Sequence, residues 1–257
     1  MKVAIFDSGV GGLTVLYSAM KRMPYNEYIY YADLDNVPYG NKDKEMVNRL
    51  TLRAVEQIYD LGVNAIVLAC NTATSISADL LRYKYDIPIV GMEPAVKPAV
   101  INSLGKRVLV LATELTLKES KLRNLINRLE ATDKVDLLPM SELVDFAEKM
   151  VFDGDRVRTL LDQKFSNMNL SDYKTIVLGC THFIYYKKII EQYFNYTIDV
   201  IDGNQGTVNH LEKILQGIGK ENNSRYKKKS VQYYISGKIA KLSVFEGYMK
   251  YLEILDT

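Results

Sequence analysis

The chain has 257 residues, 47% of them hydrophobic and 25% charged, the profile of an ordinary globular protein with room for one large domain or two small ones. Its 33 basic and 31 acidic residues leave a net charge of +2, which gives no reason to expect a nucleic-acid or membrane-surface partner. No apolar run approaches the ~20 residues of a membrane span.

A strand pattern starts at Lys2, so a secretory leader is not expected and a cytoplasmic location is. In that compartment the two cysteines, Cys70 and Cys180, read as free thiols rather than as a disulfide. Along the chain, short apolar runs predict strands over 3–6, 28–32, 65–69, 87–90, 108–112, 135–138, 176–179, 199–201 and 231–235. Helical patterns fill the gaps at 43–61, 75–85, 116–129, 143–153, 183–194 and 207–215. The alternation predicts an α/β protein built of βαβ units. Strands such as 65–69, apolar at every position, predict mainly parallel sheets covered on both faces. The basic cluster of Arg225 and Lys227 to Lys229, beside Asn222, Asn223 and Ser224, reads as a solvated loop.

The chain also carries a weak internal repeat. Residues 3–7 (Val-Ala-Ile-Phe-Asp) match 108–113 (Val-Leu-Val-Leu-Ala-Thr), and 65–72 (Ala-Ile-Val-Leu-Ala-Cys-Asn-Thr) match 175–182 (Thr-Ile-Val-Leu-Gly-Cys-Thr-His). Two pseudosymmetric α/β domains are therefore expected, each with one cysteine at the carboxyl end of a parallel strand, the edge where such sheets bind ligands. If the halves face each other, both thiols point into one cleft. Prolines at 94 and 98 suggest a boundary, and a return crossing near 203–206 gives a first domain of 1–94 plus 206–257 and a second of 95–205.

A buried cysteine is ordinarily a small core hydrophobe. Here both cysteines occupy matched positions, each followed by hydrogen-bonding residues, at turns where a helix N-terminus favours thiolate. That pattern favours catalysis. The loop Asp7-Ser8-Gly9-Val10-Gly11-Gly12, with Asp33 after the second strand, invites a dinucleotide-binding reading. Against it, Thr14 stands at the third glycine position and Asp7 puts a negative charge where a pyrophosphate would lie. The loop reads better as a tight turn presenting Asp7 and Ser8, with helix capping by either as the plain alternative. Pro38-Tyr39-Gly40 is a turn just past a strand end. His182 follows Cys180 by two residues and has the near-neutral pKa of a proton relay, whereas His210 reads as structural. Glu148 cannot be told by spacing from Glu142, Asp145 or Asp153.

These segments together resemble the bacterial glutamate racemases of the aspartate/glutamate racemase superfamily. The matching stretches are 6–15, 38–40, 69–73, 90–94, Thr113 with Thr116, and 178–182, in the family's order. The resemblance implies inversion of the α-carbon of glutamate without pyridoxal phosphate, metal or other cofactor, supplying D-glutamate for peptidoglycan, in a protein that could form a homodimer. It carries the two proton-transferring cysteines onto Cys70 and Cys180. Substrate contacts fall on Asp7, Ser8, Pro38, Tyr39, Gly40, Asn71, Thr72, Thr113, Thr116, Thr181 and His182. Asp7 would assist Cys70, and His182 would assist Cys180 together with Glu148, the family's auxiliary acid. Departures are Glu119, where serine is common, and Ile184, where proline is common. An aspartate or other amino-acid racemase of the same superfamily is the alternative.

Overall fold

A computed structural model describes residues 1–218 and 230–256. The basic cluster at 225–229 lies outside the described residues.

The strands are β1 (Lys2–Asp7), β2 (Glu27–Ala32), β3 (Ala65–Leu68), β4 (Ile89–Gly91), β5 (Arg107–Ala112), β6 (Val135–Pro139), β7 (Tyr173–Leu178), β8 (Asp199–Asp202), β9 (Val231–Ile235) and β10 (Lys238–Ala240). The helices are α1 (Leu13–Arg22), α2 (Lys44–Tyr59), α3 (Asn71–Lys84), α4 (Val96–Ile101), α5 (Glu114–Lys118), α6 (Ser120–Arg128), α7 (Glu142–Ala147), α8 (Asp155–Phe165), α9 (Lys187–Tyr193), α10 (Asn204–Gly217) and α11 (Glu246–Leu255).

Two sheets form, one ordered β10-β9-β2-β1-β3-β4 and the other β6-β5-β7-β8. Among the described residues every pairing is parallel except β10 with β9. The run β2-β1-β3-β4 repeats as β6-β5-β7-β8, so the internal repeat of the sequence is also a repeat of topology. In each copy the chain leaves a central strand, β1 or β5, to one side and then returns to the other. That is a topological switch point, where the carboxyl ends of neighbouring strands diverge and a crevice opens. Asp7 ends β1 and Cys70 follows β3, the diverging strands of one sheet; Thr113 and Cys180 follow β5 and β7, those of the other.

Alternate strand residues divide between two environments, as the period of two requires. Val3 and Ile5 of β1 share one apolar cluster with Leu109, Leu111, Ile176 and Leu178 of the second sheet. Ala4 and Phe6 point the other way, onto α2 and α3 through Val47, Val55 and Leu81. Val108, Val110 and Val177 do the same on the second sheet, against Leu122 and Ile126 of α6. The sheets are thus coupled through a continuous core, and their carboxyl edges meet.

Candidate active site

The turn after β1 is tight because Asp7 organises it. Gly9 N–H donates to Asp7 Oδ1 at 2.8 Å, and neither Asp7 nor Ser8 caps α1, whose N-cap is Gly12 without a side-chain bond. A side chain could not be added in this turn. A Cβ on Gly9 would lie 1.9 Å from Glu148 Oε1, and one on Gly11 would lie 2.3 Å from Thr181 Oγ1. The second oxygen of Asp7 accepts from Thr181 Oγ1 at 3.0 Å. Full burial raises the Asp7 pKa to about 6, against the opposing pull of the His182 charge and of its own hydrogen bonds.

Cys70 is the N-cap of α3, and its sulfur accepts from Ala73 N–H at 3.4 Å. Ser8 Oγ lies 3.6 Å from the same sulfur. Asp7 acts on Cys70 through its charge: burial first, and the Asp7 carboxylate second, push the Cys70 thiol up to about 12. The neutral thiol, a proton donor, is the favoured form there. Both cysteines are buried and free.

Cys180 stands at the N-cap position of a 3₁₀ turn, Thr181–Tyr186, but its side chain makes no capping hydrogen bond. Its Sγ is 3.7 Å from His182 Nδ1. On the other side of the ring, Nε2 lies 2.6 Å from Glu148 Oε1. Burial of His182 opposes its charged form, but the Cys180 and Glu148 contacts outweigh it, and the imidazole pKa stands well above its ordinary value. The two thiols therefore sit in unlike settings, one favouring a neutral donor and the other beside a protonated imidazole. The helical pattern at 143–153 stops early: α7 ends at Ala147 and Glu148 is its C-cap. Tyr248 donates to the Glu148 carbonyl at 3.0 Å.

The remaining residues close the cleft from the α3 and α5 side. Thr72, Thr113 and Thr116 form a closed ring of hydroxyls, with edges of 3.1, 3.0 and 3.0 Å. Gly40 packs against this ring, since a Cβ there would meet Thr113 at 2.7 Å. Pro38 leads into the 3₁₀ turn Tyr39–Asn41. Asn71 is buried, and both its amide oxygen and its amide nitrogen lack hydrogen-bond partners among the described residues.

Two residues carry roles that the sequence reading missed. Asp33 does not hold a free carboxylate after β2. It accepts from the Tyr39 phenol at 2.7 Å, from Asn36 at 3.0 Å and from Ser236 at 3.0 Å, so it is spent on fixing Tyr39 rather than on a ribose. Its place at a strand end, six residues before Tyr39, was the available signal. Glu119 breaks the long helical pattern at 116–129 into α5 and α6 and pairs with Lys44 Nζ at 2.9 Å, tying α2 to the second half.

Residues 17–211 match the family model of the Asp/Glu/hydantoin racemases. The chain belongs to that family. Among the racemases, a glutamate racemase of Halothermothrix orenii is 49% identical over 99% of this chain and 99% of its own length. Glutamate racemase 2 of Bacillus subtilis is 45% identical over 100% of this chain and 97% of its own. The solved glutamate racemase of Escherichia coli, in complex with L-glutamate and the activator UDP-MurNAc-Ala, superposes with a TM-score of 0.82. It is 28% identical and covers 97% of this chain and 94% of the other. Among the described residues, no helix is long and apolar enough to cross a membrane.

Proposed function

We propose that the protein is a glutamate racemase that exchanges the substrate α-proton between Cys70 and Cys180. One observation carries the reading: the two free thiols stand at equivalent strand ends of the two repeats, each with its own proton-handling partners. An α-proton is a very weak acid, and inversion requires its loss on one face and a gain on the other. Two fixed groups on opposite faces do this without moving around the substrate. On this reading residues 1–94 with 206–257 supply the Cys70 side and 95–205 the Cys180 side.

In one resting form a thiolate at Cys180 takes the α-proton as the Cα–H bond breaks. The neutral Cys70 thiol then protonates the planar carbanion from the other face, leaving the thiols with exchanged proton states for the opposite turnover. Asp7 modulates Cys70 by charge, and Glu148 holds His182 against Cys180. Asn71 has unmet hydrogen-bonding capacity in a buried position, where an unpaired polar group costs about 1–3 kcal/mol; a substrate carboxylate or ammonium supplies its partner. The hydroxyl ring and the backbone donors of Ser8, Gly40 and Thr181 fix the remaining polar groups and stabilise the developing charge. Pro38 and Tyr39 wall the substrate in. The full-length relatives named as glutamate racemases support glutamate over other amino acids; supply of D-glutamate for peptidoglycan, from a cytoplasmic enzyme, is the role that goes with this reading. The chemistry needs no cofactor, and a homodimer is compatible with it.

The test is incubation of the purified protein with L-glutamate, D-glutamate and L-aspartate in D₂O. The expected result is loss of optical activity from either glutamate enantiomer with deuterium at the α-carbon. A higher specificity constant for aspartate would overturn the substrate, and absence of α-exchange with every amino acid the reaction class.

A further inference from the structure

The peptide unit between Gly9 and Val10 is held at both ends. Its carbonyl, Gly9 O, accepts the phenol of Tyr30 at 2.6 Å. Its N–H, on Val10, donates to Glu148 Oε1 at 2.9 Å. That oxygen is the one 2.6 Å from His182 Nε2, and the far nitrogen of the ring is 3.7 Å from Cys180 Sγ. A single file of polar contacts therefore runs from a tyrosine on β2, in one sheet, to the thiol that follows β7 in the other.

Tyr30 is fully buried and stands edge-on to Phe245, with ring centroids 5.4 Å apart. Burial, and then the Asp7 charge, keep its phenol pKa well above the ordinary value, so it remains a neutral donor throughout the working range. Donation to an amide carbonyl polarises the amide and strengthens its N–H as a donor. The same turn has no space for a Cβ at Gly9, so the peptide can approach Glu148 this closely only as it stands. A second phenol, Tyr185, donates to Val10 O at 2.9 Å and holds the following peptide.

We propose that Tyr30 is a positioning residue for proton transfer at Cys180: through the Gly9–Val10 peptide it fixes the Glu148 carboxylate, which in turn fixes His182. The inference rests on the racemase reading for its kinetic consequence, but its geometric content can be read without substrate. Tyr28 provides a matched control. It lies two residues earlier on β2, is equally buried, and donates its phenol to Ala19 O and Met23 O at 2.9 Å each, carbonyls with no route to Glu148.

The chain has only two histidines, so an imidazole ¹⁵N spectrum resolves His182 against His210 as an internal reference. The experiment compares Tyr30→Phe and Tyr28→Phe in the full chain by that spectrum, by kcat and KM, and by thermal midpoint. Tyr30→Phe is expected to move the His182 ring signals, leave those of His210 in place, and lower kcat in both directions on the order of tenfold, the rate equivalent of about one hydrogen bond. Its KM should stay within about twofold. Tyr28→Phe should lower the thermal midpoint while leaving kcat and the His182 signals at wild-type values. Wild-type His182 signals and kcat in Tyr30→Phe would overturn the proposal, and so would equal displacement of those signals by Tyr28→Phe. Failure of the wild-type protein to racemise glutamate would instead sink the functional reading, and the His182 spectrum would still decide whether Tyr30 sets the ring.

Discussion

Thr181 donates its hydroxyl to Asp7 Oδ2 at 3.0 Å, joining residues 174 positions apart. Asp7 ends the central strand of one sheet, and Thr181 follows Cys180 on the other. The carboxylate whose charge bears on Cys70 is therefore anchored to the turn that carries the opposite thiol. The strand-end turns of the two sheets are thus joined directly by a buried hydrogen bond.

Removing either thiol should stop racemisation. Cys70→Ala and Cys180→Ala are each expected to lose turnover in both directions, because the two enantiomers of an amino acid have equal free energy and the specificity constants of the two directions fall together. Each variant should still act as a one-base catalyst on a substrate bearing a good β leaving group, and the two should accept opposite enantiomers. Polarimetry and elimination assays read both effects. Near-normal racemisation by either variant would return the cysteines to the role of core residues. Thiol alkylation should likewise stop the wild-type protein, and dialysis against a chelator should not.

Acidification should separate activity from stability. The folded Asp7 pKa of about 6 lies above the ordinary 3.8, so the folded protein keeps a proton that the unfolded chain releases between those values. The Asp7 contribution to stability therefore falls as pH rises from about 4 to about 6, by at most about 3 kcal/mol. Racemisation should rise over the upper part of this range as the carboxylate forms. Denaturant titrations of wild type and Asp7→Asn at several pH values check this: the difference in their stabilities should narrow or reverse with rising pH. A pH-independent difference would exclude Asp7 as the titrating group.

Glu148→Gln keeps the shape and removes the charge that helps hold His182 protonated. His182 has a raised pKa in the fold, so it contributes stability that is full below the ordinary histidine value and is lost as pH rises through the folded one. The variant should titrate His182 at lower pH, lose part of that contribution, and turn over about 10- to 100-fold more slowly. An unchanged His182 titration curve would show that the contact with Glu148 does not set the charge.

Two glycines should respond in opposite ways. Gly9→Ala drives a methyl group to within 1.9 Å of Glu148 Oε1, and the forced shift should cost about 1–3 kcal/mol together with most of the activity. A methyl group added at Gly206, in the first turns of α10, would meet nothing within 4 Å among the described residues. Gly206→Ala should leave activity intact and gain up to about 1 kcal/mol from helix propensity. Equal effects of the two substitutions on turnover would contradict the contact drawn for Gly9.

The parallel core strands were legible because a strand covered on both faces is apolar at every residue, and 65–69 shows this plainly. The strand β10 was not: it is short, antiparallel, at a sheet edge, and Ile239 within it is 82% exposed. The helical pattern predicted at 75–85 starts four residues inside α3, because the first turn of the helix is largely polar (Asn71, Thr72, Thr74) and carries little apolar period, although a helix N-terminus beside Cys70 was expected. Around Phe183 an apolar period predicts a helix, and the chain instead forms a 3₁₀ turn before α9. Within the site, Cys70 and Cys180 were marked by the repeat, and His182 by its neighbour. Glu148 could not be separated from nearby acids by pattern, because what distinguishes it is a contact with His182, 34 residues away, made only when α7 packs beside the 3₁₀ turn.

Thr72, Thr113 and Thr116 form a triangle in which three protons serve three edges. Each hydroxyl donates once, so the protons circulate round the ring in one sense or the other, and either sense satisfies the same edges. An incoming carboxylate finds every one of these protons committed. To receive one, it must open an edge, and the oxygen left without a donor there needs a new one, which a substrate ammonium or a neighbouring amide can provide. On the proposed reading the ring answers a substrate carboxylate by reordering protons in place rather than by swinging side chains, and its members are not equivalent, since Thr113 Oγ1 alone also accepts the Thr116 N–H, at 3.4 Å.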